Sequence, residues 1–409
     1  MPTGHNPHST VLLVRAVAEK RGIGSAPLKG RRVLVRVDFN VPLDAQGQVA
    51  DDRRIVEAMP TLNHLRAAGA RSILMSHLGR PDGRRDPKMS MRPVVHRLSA
   101  VLGQPVPLAD DPTGIRAIEQ TTRLENGQFL MLENLRFWPG EEANDPAFAA
   151  QLAHLGELFV EDAFGSLHRA HASTVGVARH LPAFAGLLVQ REVRELSRLL
   201  PPTEHPYLVI AGGAKVADKL PLLTSFCGRA DRLLLGGALA FPFLAADGVG
   251  LGATPVEDGL TDAVHEFRAA ARAAGTELLL PSDLVVLRPG GDAPVVTDLT
   301  HVPEDATAFD VGPATRARFA ESLLGSRTVL WNGPLGRAED RRFAAGTQEV
   351  LAALGRVPGY HVAAGGDSAR VAQELGVAGS FQFISTGGGA ALEFVEGREL
   401  PGLAVLPDA

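Results

Sequence analysis

The sequence predicts an α/β protein with two doubly wound, Rossmann-like parallel-sheet domains joined by a hinge helix. Short apolar runs alternate along the chain with stretches whose apolar residues recur at helical spacing, a pattern typical of parallel sheets covered by helices. Polar and glycine-rich motifs directly follow most of these runs. Near mid-chain, a helix-like stretch stops at Pro201-Pro202 and divides the runs into two groups.

The apolar runs are the predicted strands. In the first half of the chain they are Arg32–Val37, Ser72–Ser76, Phe129–Glu133 and Glu157–Val160. In the second half they are Tyr207–Ala211, Arg232–Leu235, Glu277–Leu280, Thr328–Trp331, Tyr360–Ala364 and Gln382–Ser385. Predicted helices between them include Arg54–Ala68, Arg92–Leu102 and Arg341–Leu354. So many strands suit two sheets better than one.

The same pattern predicts where the domains begin and end. We expect an N-terminal domain over residues 1–184, a connecting helix over residues 185–200 and a C-terminal domain over residues 201–392. Residues 1–30 have the composition of an irregular arm that precedes the fold.

Composition excludes several classes of protein. The 409 residues carry a net charge of −5, with 45% apolar and 21% charged residues, which argues against disorder and against a nucleic-acid partner. The single cysteine, Cys227, excludes an intrachain disulfide. No uncharged stretch reaches the roughly 20 residues that span a bilayer. We therefore expect a cytoplasmic protein with no membrane partner.

Basic side chains gather after the strands of the first half. They include Arg80, Arg136, Arg169, His77, His168 and His171, and Arg54 opens the helix after the first strand. Together with Asp38 and Asn40, this set suits a small polyanion with carboxylate, hydroxyl and phosphate groups. For each arginine alone a surface ion pair is the better interpretation, and the joint placement is what favours a site. A metal held by the histidines is not expected, because a cation is interleaved between them.

Glycine and lysine are the prominent residues after the strands in the second half of the chain, where we expect the second half of a ligand site. The chain has five lysines, and two of them, Lys215 and Lys219, lie one helical turn apart after Gly212-Gly213. A mobile point charge suits a phosphate, although two lysines on a solvated helix are the alternative. Glycine loops after strands expose backbone N–H groups to phosphates. Asp367 suits a hydrated Mg²⁺ on a nucleotide, or the N-cap of a helix, or both. No Walker A motif is present.

In this order, the motifs resemble those of the phosphoglycerate kinase family over about Leu28 to Leu406. The matching stretches are Val35–Pro42, Ser76–Pro81, Leu132–Phe137, Asp162–Gly165, His168–His171, Gly212–Lys219, Trp331–Pro334 and Ser385–Ala390. The resemblance implies reversible phosphoryl transfer from 1,3-bisphosphoglycerate to MgADP, giving 3-phosphoglycerate and MgATP. It implies hinge-bending closure, in-line transfer, a monomer whose partners are these small molecules, and a C-terminal segment, residues 393–409, that returns to the N-terminal domain.

The resemblance also implies a role for each matching residue. Phosphoglycerate would be bound by Asp38, Asn40, Arg54, His77, Arg80, Arg136 and Arg169. The catalytic set would be Arg54 and Lys215 with the backbone donors Gly387, Gly388 and Gly389. The nucleotide would lie against Gly213, Lys215, Lys219, Gly236, Gly237, Asn332, Glu339 (on the ribose), Gly366, Asp367 and Ser368. Mg²⁺ would be held by Asp367.

Four positions depart from the family pattern. Arg337-Ala338 replaces a usual valine and phenylalanine, Ala308-Phe309 a glycine and leucine, Ala364 a glycine, and Glu161 an asparagine. Three of them belong to the expected nucleotide pocket, which leaves the nucleotide preference open. We expect the Arg337 side chain to point to solvent rather than contact a phosphate. Beside an active kinase, the alternatives are a relative that phosphorylates another carboxylate and a non-catalytic binding protein.

Overall fold

The computed structural model describes residues 18–409 and divides them into two compact units. The N-terminal unit contains residues 18–197 together with Arg398–Ala409, and the C-terminal unit is Arg198–Gly397. The start of the N-terminal arm, residues 1–17, lies outside the described residues.

The strands, in chain order, are β1 (Arg32–Arg36), β2 (Arg71–Met75), β3 (Leu108–Ala109), β4 (Phe129–Leu132), β5 (Leu158–Glu161), β6 (Ala183–Ala185), β7 (Tyr207–Ala211), β8 (Arg232–Leu235), β9 (Glu277–Leu279), β10 (Asp283–Leu287), β11 (Val295–Asp298), β12 (Thr307–Val311), β13 (Thr328–Asn332), β14 (Tyr360–Ala363) and β15 (Phe383–Ile384).

The α-helices are α1 (Arg53–Ala67), α2 (Arg92–Leu102), α3 (Ile115–Arg123), α4 (Pro139–Glu142), α5 (Pro146–His154), α6 (Leu187–Ser197), α7 (Val216–Ser225), α8 (Phe241–Ala246), α9 (Thr261–Ala273), α10 (Pro313–Ser322), α11 (Ala345–Leu354), α12 (Gly366–Glu374), α13 (Gly389–Glu396) and α14 (Pro401–Ala404).

Each unit is built on a parallel six-stranded sheet. The N-terminal sheet has the order β3-β4-β2-β1-β5-β6, and the C-terminal sheet has the order β15-β14-β13-β7-β8-β9. The central strands β1, β7 and β13 are almost wholly buried, as expected for parallel strands with helices on both faces. The predicted fold class is confirmed.

A third sheet was not predicted from the sequence. Strands β11, β10 and β12 form a small antiparallel sheet within the C-terminal unit. Three of the four residues of β11 are exposed, so this strand lacks the continuous apolar run that marks a buried strand. The short edge strands β3 and β6 were missed for a related reason, because they are only two and three residues long.

The stretch expected to connect the domains differs in its bounds. The helix covers Leu187–Ser197, and Ala183–Ala185 before it belongs to the edge strand of the N-terminal sheet. The helix lies in the N-terminal unit, and its role as a hinge stays a prediction. The C-terminal residues 398–409 belong to the N-terminal unit, where Gly402 N–H donates to the Leu167 carbonyl at 2.9 Å. Among residues 18–409, no helix is long and apolar enough to cross a membrane.

The topology places the loops of interest at one edge of each sheet. Because β1 pairs with both β2 and β5 in parallel register, the loops after all three strands leave from the same side. In the C-terminal unit, β7 and β13 are paired neighbours, with β8 and β14 on their outer sides. Each sheet therefore brings its loops together at one edge, at the carboxyl ends of its strands, where open α/β sheets bind their ligands.

Candidate functional site

Loops after β1 and β2 form the centre of the site on the N-terminal unit. Asn40 Oδ1 accepts a hydrogen bond from the Gly79 N–H at 2.9 Å, which ties the first loop to the second. Ser76 Oγ accepts from the Phe39 N–H at 2.9 Å. These bonds hold the backbone of Asp38–Asn40 beside His77–Arg80, so the polar side chains of both motifs share one surface.

Asp38 and Arg54 form an ion pair at this surface. Burial alone would raise the pKa of Asp38, but the guanidinium groups of Arg54 and Arg36 outweigh it, and the pKa is lowered. The carboxylate is therefore ionised at neutral pH. It orients Arg54, which remains about one-third exposed and able to contact a ligand.

Arg136 is buried behind the same surface. Its Nη1 donates to the Gly79 carbonyl at 2.8 Å, and its Nε lies 3.0 Å from Glu142 Oε1. Asn134 supports the turn before it, since its Oδ1 accepts from the Arg136 N–H at 3.2 Å. Arg80 and Arg169, by contrast, are exposed. The N-terminal half-site thus combines two fixed cations with two accessible ones.

Two buried histidines belong to this half-site. Burial, reinforced by neighbouring arginines, lowers the pKa of His171 to about 3. Burial likewise lowers the pKa of His77 well below its usual value, and Arg36 and Arg136 act in the same direction. Both imidazoles are therefore neutral at physiological pH, and the positive charge of the half-site comes from its arginines.

Glycine loops shape the half-site on the C-terminal unit. A Cβ atom at Gly212 would overlap the Pro334 carbonyl oxygen, so only glycine lets the loops after β7 and β13 approach this closely. Gly213 has φ +107°, a conformation that side chains rarely adopt. Gly236 is similarly close to Leu335, since a Cβ there would lie 2.6 Å from Leu335 Cδ2.

Lys219 is partly buried against these loops, whereas Lys215 lies at the start of α7. The Lys219 ammonium donates to the Gly212 carbonyl and lies 3.4 Å from the Asn332 carbonyl oxygen. Burial lowers the pKa of Lys219 to about 8, and the Asp367 carboxylate partly opposes that shift. The ammonium stays mostly protonated at neutral pH and lacks a paired carboxylate within ion-pair distance among the described residues.

Asn332 and Ser368 connect the loop after β13 to the start of α12. Asn332 Nδ2 donates to the Ala364 carbonyl at 2.8 Å, and Ser368 Oγ accepts from the Gly333 N–H at 3.0 Å. The buried Asn332 Oδ1 has no hydrogen-bond partner within residues 18–409. Gly366 and Asp367 open α12, and the Asp367 side chain is 85% exposed.

The triple-glycine loop precedes α13. This helix begins at Gly389 with Gly388 as its N-cap. Before the helix, Ser385 Oγ accepts from the Gly387 N–H at 3.1 Å. Gly388 has φ +55°, so a glycine turn, and not a side-chain cap, starts the helix.

Comparison with known proteins identifies the family. The family model described as phosphoglycerate kinase matches residues 23–398. The chain belongs to the phosphoglycerate kinase family. It is 48% identical over 392 residues to the phosphoglycerate kinase of Rubrobacter xylanophilus, covering 95% of this chain and 99% of that one. The Gloeobacter violaceus phosphoglycerate kinase is 47% identical over 400 residues, with 95% and 98% covered.

Solved structures agree. The structure of phosphoglycerate kinase from Coxiella burnetii superposes with a TM-score of 0.84 at 35% identity, covering 94% of this chain and 98% of that one. The resemblance inferred from the motifs is therefore confirmed. The chain is a kinase of glycolysis, a phosphotransferase with a carboxyl group as acceptor.

Within this phosphoglycerate kinase framework, the predicted residues form two sets. Asp38, Asn40, Arg54, His77, Arg80, Arg136 and Arg169 all lie on the N-terminal unit. Gly213, Lys215, Lys219, Gly236, Gly237, Asn332, Glu339, Gly366, Asp367, Ser368 and the glycines 387–389 lie on the C-terminal unit. The individual roles of these residues stay predictions.

One of the departures from the family pattern, Arg337, has defined contacts in the structure. Arg337 is exposed, as predicted; its Nε lies 3.2 Å from Glu339 Oε1, and its guanidinium is 5.8 Å from the centre of the Phe309 ring. The Arg337 N–H also donates to the Phe309 carbonyl at 2.8 Å. Two unusual residues, Arg337 and Phe309, thus contact each other beside the acid assigned to the ribose.

Sequence reasoning did not single out Arg36, whose side chain lies directly behind the predicted acid site. This arginine ends β1, is fully buried, and lies 3.1 Å from His77 Nδ1 through its Nη2. A charged residue at the end of an apolar strand was the available signal, because a buried charge requires dedicated partners.

Proposed function

We propose that the N-terminal half-site binds 3-phosphoglycerate and 1,3-bisphosphoglycerate and that the C-terminal half-site binds MgATP and MgADP. The observation that carries this proposal is that the two units present different kinds of anion-binding group. Side-chain cations cluster on one unit, and glycine loops with two lysines cluster on the other. A compact polyanion suits the first surface, and a nucleotide triphosphate suits the second.

In the acid half-site, two arginines are held in place by carboxylates and two are exposed. Arg54 and Arg136 are oriented by Asp38 and Glu142, so they present preformed donors to an anionic ligand. Arg80 and Arg169 are exposed and move onto the ligand when it binds. Asp38 accepts the hydrogen bond of a ligand hydroxyl group, and the Asn40 side-chain amide N–H donates to a ligand oxygen, since Asn40 Oδ1 already accepts from the Gly79 N–H.

In the nucleotide half-site, backbone groups and lysines carry the binding. Lys219 and the unpaired Asn332 Oδ1 line the loop after β13, with Ser368 at the start of α12. Gly213, Gly236 and Gly237 let the base approach the backbone, and Glu339 accepts from the ribose hydroxyls. Gly366 belongs to the same helix start and offers a backbone donor to phosphate.

Asp367 fits a hydrated Mg²⁺ that accompanies the nucleotide. Its carboxylate is exposed, and its ion pair with Arg370 is long, at 3.8 Å, so its oxygens are accessible. Mg²⁺ prefers one or two carboxylates together with phosphate oxygens and water. Bound there, the ion would neutralise phosphate charge.

Transfer between an acyl phosphate and ADP needs positioning and charge neutralisation more than covalent chemistry. We propose that Lys215 accompanies the transferring phosphoryl group and that backbone N–H groups of residues 387–389 receive its oxygens. Gly387 would exchange its present bond to Ser385 for this contact. Arg54 would act from the acid side after the hinge-bending closure that in-line transfer requires.

The remaining expectations complete the proposal. We propose a cytoplasmic monomer whose partners are these small molecules, without a nucleic-acid partner. A net charge of −5 supports the last point, since nucleic-acid binding requires a basic surface.

A coupled assay tests the proposal directly. Purified protein is given 3-phosphoglycerate and MgATP, and the 1,3-bisphosphoglycerate formed is reduced by added glyceraldehyde-phosphate dehydrogenase while NADH oxidation is followed. We expect a kcat within roughly 1–10³ s⁻¹. Lys215→Ala should lower kcat by roughly 10³-fold, the scale of one cationic group on a transferring phosphoryl.

Lys88→Ala is the matched control, because Lys88 is exposed on the other unit and lies outside both half-sites. Turnover that Lys215→Ala leaves unchanged would contradict the assignment of Lys215. Folded protein without turnover of 3-phosphoglycerate, but with turnover of another carboxylate, would replace the proposed acid.

A further inference from the structure

A fully buried guanidinium lies directly behind the acid half-site. Arg36 Nε donates to Ser173 Oγ at 2.8 Å, its Nη1 donates to the Val37 carbonyl, and its Nη2 lies 3.1 Å from His77 Nδ1. All three nitrogens of this side chain therefore have a defined partner. Water has no access to it, since its exposure is 0%.

The contact between Arg36 and His77 has one chemical interpretation. A guanidinium carries only donors and does not lose its proton in proteins, so the nitrogen opposite it must accept. His77 Nδ1 consequently carries no proton, and a neutral imidazole must then carry its proton on Nε2. We infer that Arg36 is a positioning residue that holds His77 as the Nε2–H tautomer, so that His77 acts as a neutral hydrogen-bond donor in the acid half-site.

The charges around His77 favour the same state. Arg36, Arg136 and Arg54 face the imidazole and disfavour a further positive charge, while the Asp38 carboxylate opposes them. Asp38 is already paired with Arg54, which limits its attraction for an imidazolium. Burial is the largest influence and also lowers the pKa of His77. The donor is thus available over the whole physiological range of pH.

Other buried residues hold Arg36 in place. Ser173 Oγ, which accepts from Arg36, itself donates to Glu141 Oε1 at 2.6 Å, and the Ser173 N–H donates to Glu141 Oε2 at 3.0 Å. The chain of contacts runs from Glu141 through Ser173 and Arg36 to His77. Because each member is buried, the imidazole has little freedom to rotate.

The tautomer matters for binding, and this step depends on the proposed assignment of the acid half-site. An Nε2–H group donates to a carboxylate or phosphate oxygen. An unprotonated Nε2 would turn its lone pair toward that anion and leave the buried group unpaired. A donor whose direction is set before the ligand arrives also avoids the cost of ordering it.

Nitrogen NMR on the wild-type protein tests the tautomer without any substrate. The protein is labelled with ¹⁵N-histidine, and the signal of His77, one of 13 histidines, is assigned by its loss in His77→Gln. We expect a protonated Nε2 and an unprotonated Nδ1 from pH 6 to pH 8, with no titration between. A protonated Nδ1, or a titration near pH 6.5, would overturn the inference.

Kinetics with variants test the functional step. Arg36→Lys keeps the charge but loses the fork that reaches Ser173 and His77 together. We expect the KM for 3-phosphoglycerate to rise roughly tenfold, the effect of one lost hydrogen bond to a charged group, with an unchanged KM for ATP. The Nδ1–H tautomer should become detectable. If Arg36→Lys does not fold, Ser173→Ala loosens Arg36 and should move both readouts in the same direction.

Glu161→Gln is the matched control. Glu161 is buried on the neighbouring strand in register with Arg36, but it has no contact with His77. It should leave the tautomer unchanged and the KM within about twofold. A variant of Arg36 that folds and keeps both the tautomer and the KM would overturn the inference. Wild-type protein with the Nε2–H signal but no turnover of 3-phosphoglycerate would support the inferred tautomer and contradict the reaction assigned to the site.

Discussion

The two half-sites recognise anions by different physical means. The acid half-site uses mutually oriented side chains, with at least one buried member in each pair: Asp38 on Arg54, Glu142 on Arg136 and Arg36 on His77. The nucleotide half-site uses backbone shape, since a Cβ at Gly212 would overlap the neighbouring loop. Its charged side chains Asp367 and Glu339 are exposed.

This difference predicts which amino-acid substitutions each half-site tolerates. A network of buried charges fails when one partner is removed, because the remaining charge is left unpaired in a desolvated place. A glycine loop fails when a side chain is added, because the backbone must move. Exposed carboxylates tolerate substitution best, since water replaces a lost partner. The family departures at Arg337 and Phe309 lie in this tolerant region.

The largest effect is expected from Arg54→Ala, which removes one member of the charged network in the acid half-site. Removing the guanidinium takes a cation from the transferring group, and we expect kcat to fall by roughly 10²- to 10³-fold. The pKa of Asp38 should also rise, because burial is then less opposed. The coupled assay measures the first effect. Arg53→Ala, one residue earlier in α1, is the control, and an equal loss there would show that the effect is structural.

Gly212→Ala would test the role of backbone shape in the nucleotide half-site. The added Cβ overlaps the Pro334 carbonyl oxygen, so we expect a loss of about 2 kcal/mol in the free energy of unfolding, with weaker ATP binding. Urea unfolding and calorimetric titration with MgATP measure these. Gly250→Ala is the control, since a Cβ there has no neighbour within 4 Å. Equal stability of the two variants would show that the close approach of the loops does not require glycine at position 212.

The buried Glu161 carboxyl predicts how the free energy of unfolding depends on pH. Burial raises its pKa to about 8, so between about pH 4.5 and pH 8 the folded state holds a proton that the unfolded state has released. Stability must then fall as pH rises through this window. In wild type, this group contributes a decline of about 1 kcal/mol per pH unit, near the limit for one proton.

Glu161→Gln removes that contribution, so its free energy of unfolding should decline less than that of wild type between pH 5.5 and pH 7.5. Urea unfolding at both pH values measures the difference. Glu304→Gln, at an exposed position, should behave as wild type does. Parallel pH profiles for wild type and Glu161→Gln would show that the Glu161 carboxyl does not hold the proton.

The smallest effect is expected from Arg337→Val, which restores the usual residue of the family. Its ion pair with Glu339 is exposed, and such pairs contribute a few tenths to 1 kcal/mol. Freed from Arg337, Glu339 should accept the ribose more readily, and the KM for ATP should fall about two- to threefold. Steady-state kinetics with ATP measure this, with the exposed Arg356→Val as control. A raised KM would instead make Arg337 a nucleotide contact.

The sequence by itself determined the fold class, most strand positions and the family, and it predicted which residues form the two half-sites. It did so because parallel strands are continuous apolar runs, and because ligand groups follow their carboxyl ends locally in the chain. Strands β7 and β8 were predicted to the residue, as was α2. The antiparallel sheet escaped, since the exposed β11 carries no apolar run.

Only the tertiary structure decided which side chains pair. Arg36 and His77 are 41 positions apart, and their contact follows from the parallel register of β1 and β2. The register also places Glu161 beside Arg36, where burial changes its protonation. Arg337 is exposed, as predicted, but its contact with Phe309 depends on the approach of two loops that are distant in the sequence. Local pattern predicts where a group lies along the chain, but its charge state and partner depend on the residues that surround it.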